Sequence, residues 1–347
     1  MKFFKQIILI LIIFFKTGNL FSNNNVFIVN NILIENKENK SSKQLTNQAF
    51  QKAFNLLIKK ILLAEDISKM SNLNLSEINN LVSYYNISEN SNLESNKINF
   101  NVVFDRDKIH NLFNEQEISY SNIQDKEFFI LPIKIVENEI FIFSNNYFYD
   151  SWTQNINKKE LIEFILPLEN IEIIQKINQA RENLLDLNIS SLLSDYKNRN
   201  LAMVLIYLSE SNKAKIFIKA IVQGKIINKS LTFKTNSIAA QKFNEKIIYE
   251  IRKEIINLVK SQNLIDIRTP SFLNVKLNLD KKNNLAQLKT GIKKIDLIEN
   301  IFVQEFNKNY VYLKIKYLGK LENIKKQLKN ENINLRLVGD EWFMKIM

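Results

Sequence analysis

Three observations predict an α+β chain built of several modules, with antiparallel and mixed sheets. Ile98–Phe104 and Tyr310–Tyr317 alternate apolar and polar residues with the period of a half-buried strand. Leu45–Ile61 and Ala240–Leu258 instead repeat apolar residues every three or four positions, as one face of a helix does. Hydrophobic residues make up 46% of the 347, with 24 Phe, which is enough to pack cores in two or three domains.

Each element follows in order. Val26–Glu35 is predicted as a strand, and the polar turn at Ser41 and Ser42 precedes a helix with Leu45, Ala49, Ala53, Leu56, Leu57 and Ile61 on one face. Ser76–Tyr85 is predicted as a second, short helix and Ile98–Phe104 as a strand. Asp105 sits where an N-cap belongs, ahead of a helix carrying Ile109, Leu112 and Phe113. This β-α-α-β-α module occupies 23–124.

A central α/β module spans 125–264. Phe128–Val136 and Glu139–Ser144 are predicted to form a hairpin about Glu137-Asn138. Ile162–Pro167 follows, then a helix near Ile189–Tyr196 and strands at Ala202–Leu208, Ala214–Val222 and Lys229–Lys234. A long helix bearing Ala240, Phe243, Ile247, Ile251, Ile255 and Leu258 closes the module. Residues 264–270, ending in Pro270, read as a linker. Beyond it Ser271–Leu279, Asn284–Ile295, Ile298–Phe306, Tyr310–Tyr317, Leu321–Asn330 and Leu335 onward give a ferredoxin-like βαββαβ order over 271–347.

The first 22 residues predict export. Lys2 and Lys5 precede an unbroken apolar run from Ile7 to Phe15. That run is too short for the ~20 residues of a membrane span and fits the ~7–15 of a signal-peptide core. Ser22 offers a small residue for cleavage after it; a retained anchor and a buried N-terminal strand or helix are the alternatives. Past this run no apolar stretch is long enough to span, so the expectation is a mature chain without an integral membrane span, in the periplasm or secreted. With no Cys, neither disulfides nor a lipid anchor on cysteine is available.

The net charge of +12 admits an anionic partner. Lysine supplies almost all of it, however, with Arg only at 106, 181, 199, 252, 268 and 336, whereas phosphate recognition favours the guanidinium fork. The lysines also alternate with Glu and Asp along the helices, so a solvated basic surface is expected, and no nucleic-acid partner.

Ala49-Phe-Gln-Lys-Ala-Phe-Asn-Leu-Leu-Ile-Lys-Lys-Ile61, Val82-Ser-Tyr-Tyr85 and Phe104-Asp105 with Ile109, Leu112 and Phe113 resemble an exported bacterial family, domain of unknown function 2066. Leu131-Pro132, Trp152 and Leu166-Pro167-Leu168 resemble the second module of such proteins. These are packing motifs, so the resemblance implies export and fold rather than chemistry.

No catalytic, cofactor or metal residues are nominated. His110 is the single histidine, stands beside the apolar stripe and is expected at the surface; no Gly-x-Ser-x-Gly elbow accompanies it. Five dispersed glycines form no phosphate-binding loop. Asp105, Asp107, Glu115 and Glu117 are the nearest carboxylate cluster for a hard cation, although capping and solvation account for them. The pairs Glu160/Glu163 and Asp340/Glu341 have no context that promotes them to a hydrolytic site. The one candidate patch is aromatic: Tyr147, Phe148, Tyr149 and Trp152, exposed to a partner or glycan strand, or else plugging the end of a sheet. Together these features predict a non-catalytic periplasmic protein that binds an envelope protein or cell-wall component. A carboxylate-based hydrolase and a small-ligand carrier are the alternatives.

Overall fold

The computed structural model describes residues 26–35, 41–88, 97–123, 125–153, 161–209, 213–234, 239–279 and 285–347. The segment 1–22 expected to direct export, the cleavage point expected after Ser22, and Glu160 lie outside these residues. Among the described residues no helix is long and apolar enough to cross a membrane. The fold is α+β with antiparallel and mixed sheets. Its contacts divide the chain into two units, one of 1–120 with 265–347 and one of 121–264. The first and third sequence modules therefore share a unit.

In the first unit, β1 (Ile28–Glu35) is followed by α1 (Ser42–Ile61), α2 (Ile67–Met70) and α3 (Leu75–Leu81). Then come β2 (Val82–Ser88), β3 (Lys97–Phe104) and α4 (Arg106–Glu115), and the antiparallel sheet runs β1-β3-β2. Ser41 and Gln44 close a capping box at the start of α1, which buries Leu45, Ala49, Phe50, Ala53, Phe54, Leu57, Ile58 and Ile61. The helix predicted over 76–85 is corrected: it ends at Leu81, and Val82–Ser88 is a strand. Pairing with β3 and the β-branched and aromatic run of Val82, Tyr84, Tyr85 and Ile87 outweigh the local helical pattern.

The two-stranded pair of β4 (Tyr120–Ser121) and β11 (Leu264–Ile265) carries the chain across the division. Between them lie β5 (Glu127–Val136), β6 (Glu139–Phe141), α5 (Tyr147–Ser151), β7 (Glu163–Ile165), α6 (Ile171–Gln179) and α7 (Ile189–Leu192). After these come β8 (Asn200–Ser209), β9 (Lys213–Val222), β10 (Lys225–Lys234) and α8 (Ala240–Gln262). The sheet runs β10-β9-β8-β5-β6, with β7 also on β5; β5 is parallel to β7 and β8. Glu137 and Asn138 both have positive φ, as do Gln223 and Gly224, the geometry of two-residue hairpins that follow the strand twist.

Both faces of this sheet are covered. Ile130, Val204, Ile216 and Ile218 pack with Ile247, Ile251 and Ile255 of α8 on one side. Leu131, Ile133, Met203 and Leu205 pack with Ile173, Ile177 and Leu192 on the other. Helix α6 is absent from the sequence-based expectation, although Asn170 caps it and Ile173 and Ile177 lie one turn apart.

The rest of the first unit comprises β12 (Ser271–Asn278), α9 (Leu285–Lys293), β13 (Ile298–Phe306), β14 (Tyr310–Tyr317), α10 (Leu321–Asn330), β15 (Ile333–Val338) and β16 (Glu341–Ile346). The four-stranded βαββαβ expectation needs correction here. The segment read as one closing strand folds back at Gly339, where φ is +59°, and makes two. The sheet has five strands in the order β13-β14-β12-β16-β15, with β16 parallel to β12.

Candidate functional site

The predicted aromatic patch does not form. Phe148 and Trp152 are 0% exposed, packed in the core on the α8 side with Tyr147 against it. Tyr149 turns to the opposite core and donates its hydroxyl to the Pro167 carbonyl at 2.7 Å. Asn146 causes this division. Its Nδ2 donates to the carbonyls of Pro132, Phe141 and Ile142, while its Oδ1 caps α5 at Phe148. The rings are thereby fixed across the end of the sheet. Arg252 donates to the Trp152 carbonyl at 2.8 Å and lies over the Phe164 ring. These are contacts of a core.

His110 also departs from expectation, being buried rather than at the surface. Its Nε2 lies 3.2 Å from the Tyr120 hydroxyl, with the two rings stacked and Phe27 edge-on. Burial, reinforced by the Arg106 cation, pushes its pKa down to about 4, so the ring is neutral at physiological pH. Arg106 itself donates to the backbone carbonyls of Asp296 and Ile298, tying the start of α4 to the approach to β13. Burial raises the Asp296 carboxyl to about 6 against the opposing pull of Arg106. All of these contacts join packed elements.

Asp105 and Asp107 of the carboxylate cluster are accounted for locally. Asp105 accepts from the backbone of Asp107 and Lys108 as the cap of α4, and Asp107 pairs with Arg106. Among the described residues no three His, Asp or Glu side chains group as metal ligands. Glu163 lies on β7 and Asp340 in the β15–β16 turn.

What the sequence did not reveal is the open face of the five-stranded sheet. Alternate residues of a strand point to opposite faces. Leu273, Val275 and Leu277 of β12, with Val311, Leu313 and Ile315 of β14, are buried under Leu288, Ile292, Ile324 and Leu328 of the helices. The other set faces outward. Register aligns Glu305, Tyr312, Lys276, Phe343 and Arg336 in one row across all five strands. A second row holds Phe302, Lys314 and Asn274, and a third Asn300, Lys316 and Phe272. Phe272 is 52% exposed and Phe302 45%, far beyond what core rings show.

Charge and rings are interleaved on this face. The Lys276 ammonium lies 4.6 Å from the Tyr310 ring centroid, 5.1 Å from that of Tyr312 and 5.8 Å from that of Phe343. The Tyr312 hydroxyl beside it raises its pKa above the ordinary lysine value, so it stays charged. Lys314 sits 4.5 Å over Phe272. The nearby acids are engaged: Tyr310 donates to Glu305, Tyr312 to Glu341, and Lys316 pairs with Glu299. Of Lys276, Lys314, Lys316, Arg336 and Lys345, only Lys316 has a carboxylate within ion-pair distance among the described residues. The alternation of 310–317 held half of this signal. Which other strands shared the face depended on sheet order. No protein-family model, no curated protein and no solved structure matches this chain.

Proposed function

We propose that the chain is exported to the periplasm, cut after Ser22, and acts there without catalysis by holding another component of the envelope. The open face of the terminal sheet carries this reading. Its rings and ammonium groups are spread over four of the five strands, whereas turnover needs groups converging on one reacting atom. Such an array suits adhesion to an extended partner. The apolar run Ile7–Phe15 behind Lys2 and Lys5 supports the location. Placement of β14 between β12 and β13 supports reading the terminal module as a ferredoxin-like frame with one added strand.

The test is to release the periplasm of a cell expressing the chain by osmotic shock and to sequence the protein's N-terminus. A mature form beginning at Asn23 is expected. Intact chain beginning at Met1 and confined to the cytosol would sink the proposal.

A further inference from the structure

We infer that the open face of the β13-β14-β12-β16-β15 sheet binds an acidic glycan, meaning a linear polysaccharide that carries carboxylates. This rests on the reading that the same face is the contact surface of the protein. Three features of the face fit such a ligand together.

The first is dimension. Neighbouring strands lie ~4.8 Å apart, close to the length of one pyranose ring. A linear glycan laid across the strands thus meets about one strand per sugar. Within the central row Tyr312, Lys276 and Phe343 occupy consecutive strands, so ring, cation and ring follow one another along that path. A ring face packs on the C–H face of a sugar, and the ammonium between meets a carboxylate.

The second is hydrogen bonding. Asn274 and Asn334 are exposed on this face, and an amide offers donors and acceptor together, as a sugar hydroxyl requires. The third is charge. Lys276, Lys314, Lys316, Arg336 and Lys345 outnumber the acids Glu299, Glu305 and Glu341 at this face. The surface attracts a polyanion, and salt screens that attraction.

Single-stranded nucleic acid fits less well. Arg336 is the sole arginine in the aligned rows, which leaves one guanidinium fork for phosphate.

Calorimetric titration of the purified chain with polygalacturonate, dextran and oligo-dT tests the inference. Polygalacturonate is expected to bind, weakening as salt rises, and dextran to bind far more weakly. Lys276→Glu with Lys314→Glu should lower polygalacturonate affinity by ~10-fold or more, through reversed charge at the contact. Tyr312→Ala should lower it by a few-fold, and Lys215→Glu, on β9 of the other unit, should leave it unchanged. Circular dichroism checks that each variant is folded. Absence of polygalacturonate binding, equal binding by the Lys276/Lys314 variant, equal binding of dextran, or tighter binding of oligo-dT would each overturn the inference. A chain that matures at Asn23 yet ignores polygalacturonate refutes the ligand alone; a cytosolic chain that binds it refutes the location alone.

Discussion

The central sheet is covered on both faces, whereas the terminal sheet is covered on one, and that difference assigns opposite roles to similar residues. In the central sheet the apolar run of β8, Leu201 to Ile206, is buried residue after residue because each side chain finds a core whichever way it points. In the terminal sheet β14 alternates, and Tyr310, Tyr312, Lys314 and Lys316 are left outward. An aromatic cluster in sequence therefore became core in the first case. Aromatics scattered over four strands became a surface in the second.

Several measurements can break or sharpen this contrast. Trp152→Ala removes the largest fully buried side chain and should destabilise the chain by ~3–5 kcal/mol. Urea unfolding reads this directly, and a loss under ~1 kcal/mol would mean that the central sheet end is not closed. Two buried titratable groups of the first unit, His110 and Asp296, predict a pH effect instead. His110, depressed to about 4, contributes stability that is present above its unfolded value of ~6.5 and lost as pH falls toward 4, up to ~3 kcal/mol in all. Asp296, raised to about 6, acts oppositely: its contribution is present below the ordinary carboxylate range and lost as pH rises through 6. Urea midpoints at pH 5 and pH 7 should therefore fall on the acid side less steeply in wild type than in Asp296→Asn. In His110→Phe the slope should reverse sign.

Asn146→Ala strips a shared donor from three carbonyls and should cost ~1–3 kcal/mol, with loss of near-ultraviolet aromatic dichroism as Tyr147–Trp152 loosens. Asp105→Ala removes the cap of α4 and should cost ~1 kcal/mol by urea unfolding. Smallest is Tyr312→Ala on the open face, expected within ~0.5 kcal/mol of wild type. A large loss there would show that the open face is structural.

Local signals carried much of the element pattern. Asp105 capping α4, the Glu137-Asn138 turn and the spans Ile298–Phe306, Tyr310–Tyr317 and Leu321–Asn330 were legible because each depends on residues within a few positions. Val82–Ser88 was not, since its strand state depends on a partner at 97–104. His110 was misjudged because Phe27 and Tyr120, which bury it, come from other elements. The candidate site was least legible. Phe343 lies beside Lys276 only because the terminal hairpin inserts β16 between β12 and β15.

The sequence by itself determined which residues of each strand point apart, where α1, α4 and α10 begin and where the Glu137-Asn138 hairpin turns, because φ/ψ preference, capping and two-residue alternation are local. Only the tertiary structure decided which of the two faces is covered. Cover is supplied by segments distant in the chain, so the same alternation makes a core of one sheet face and leaves the other to solvent.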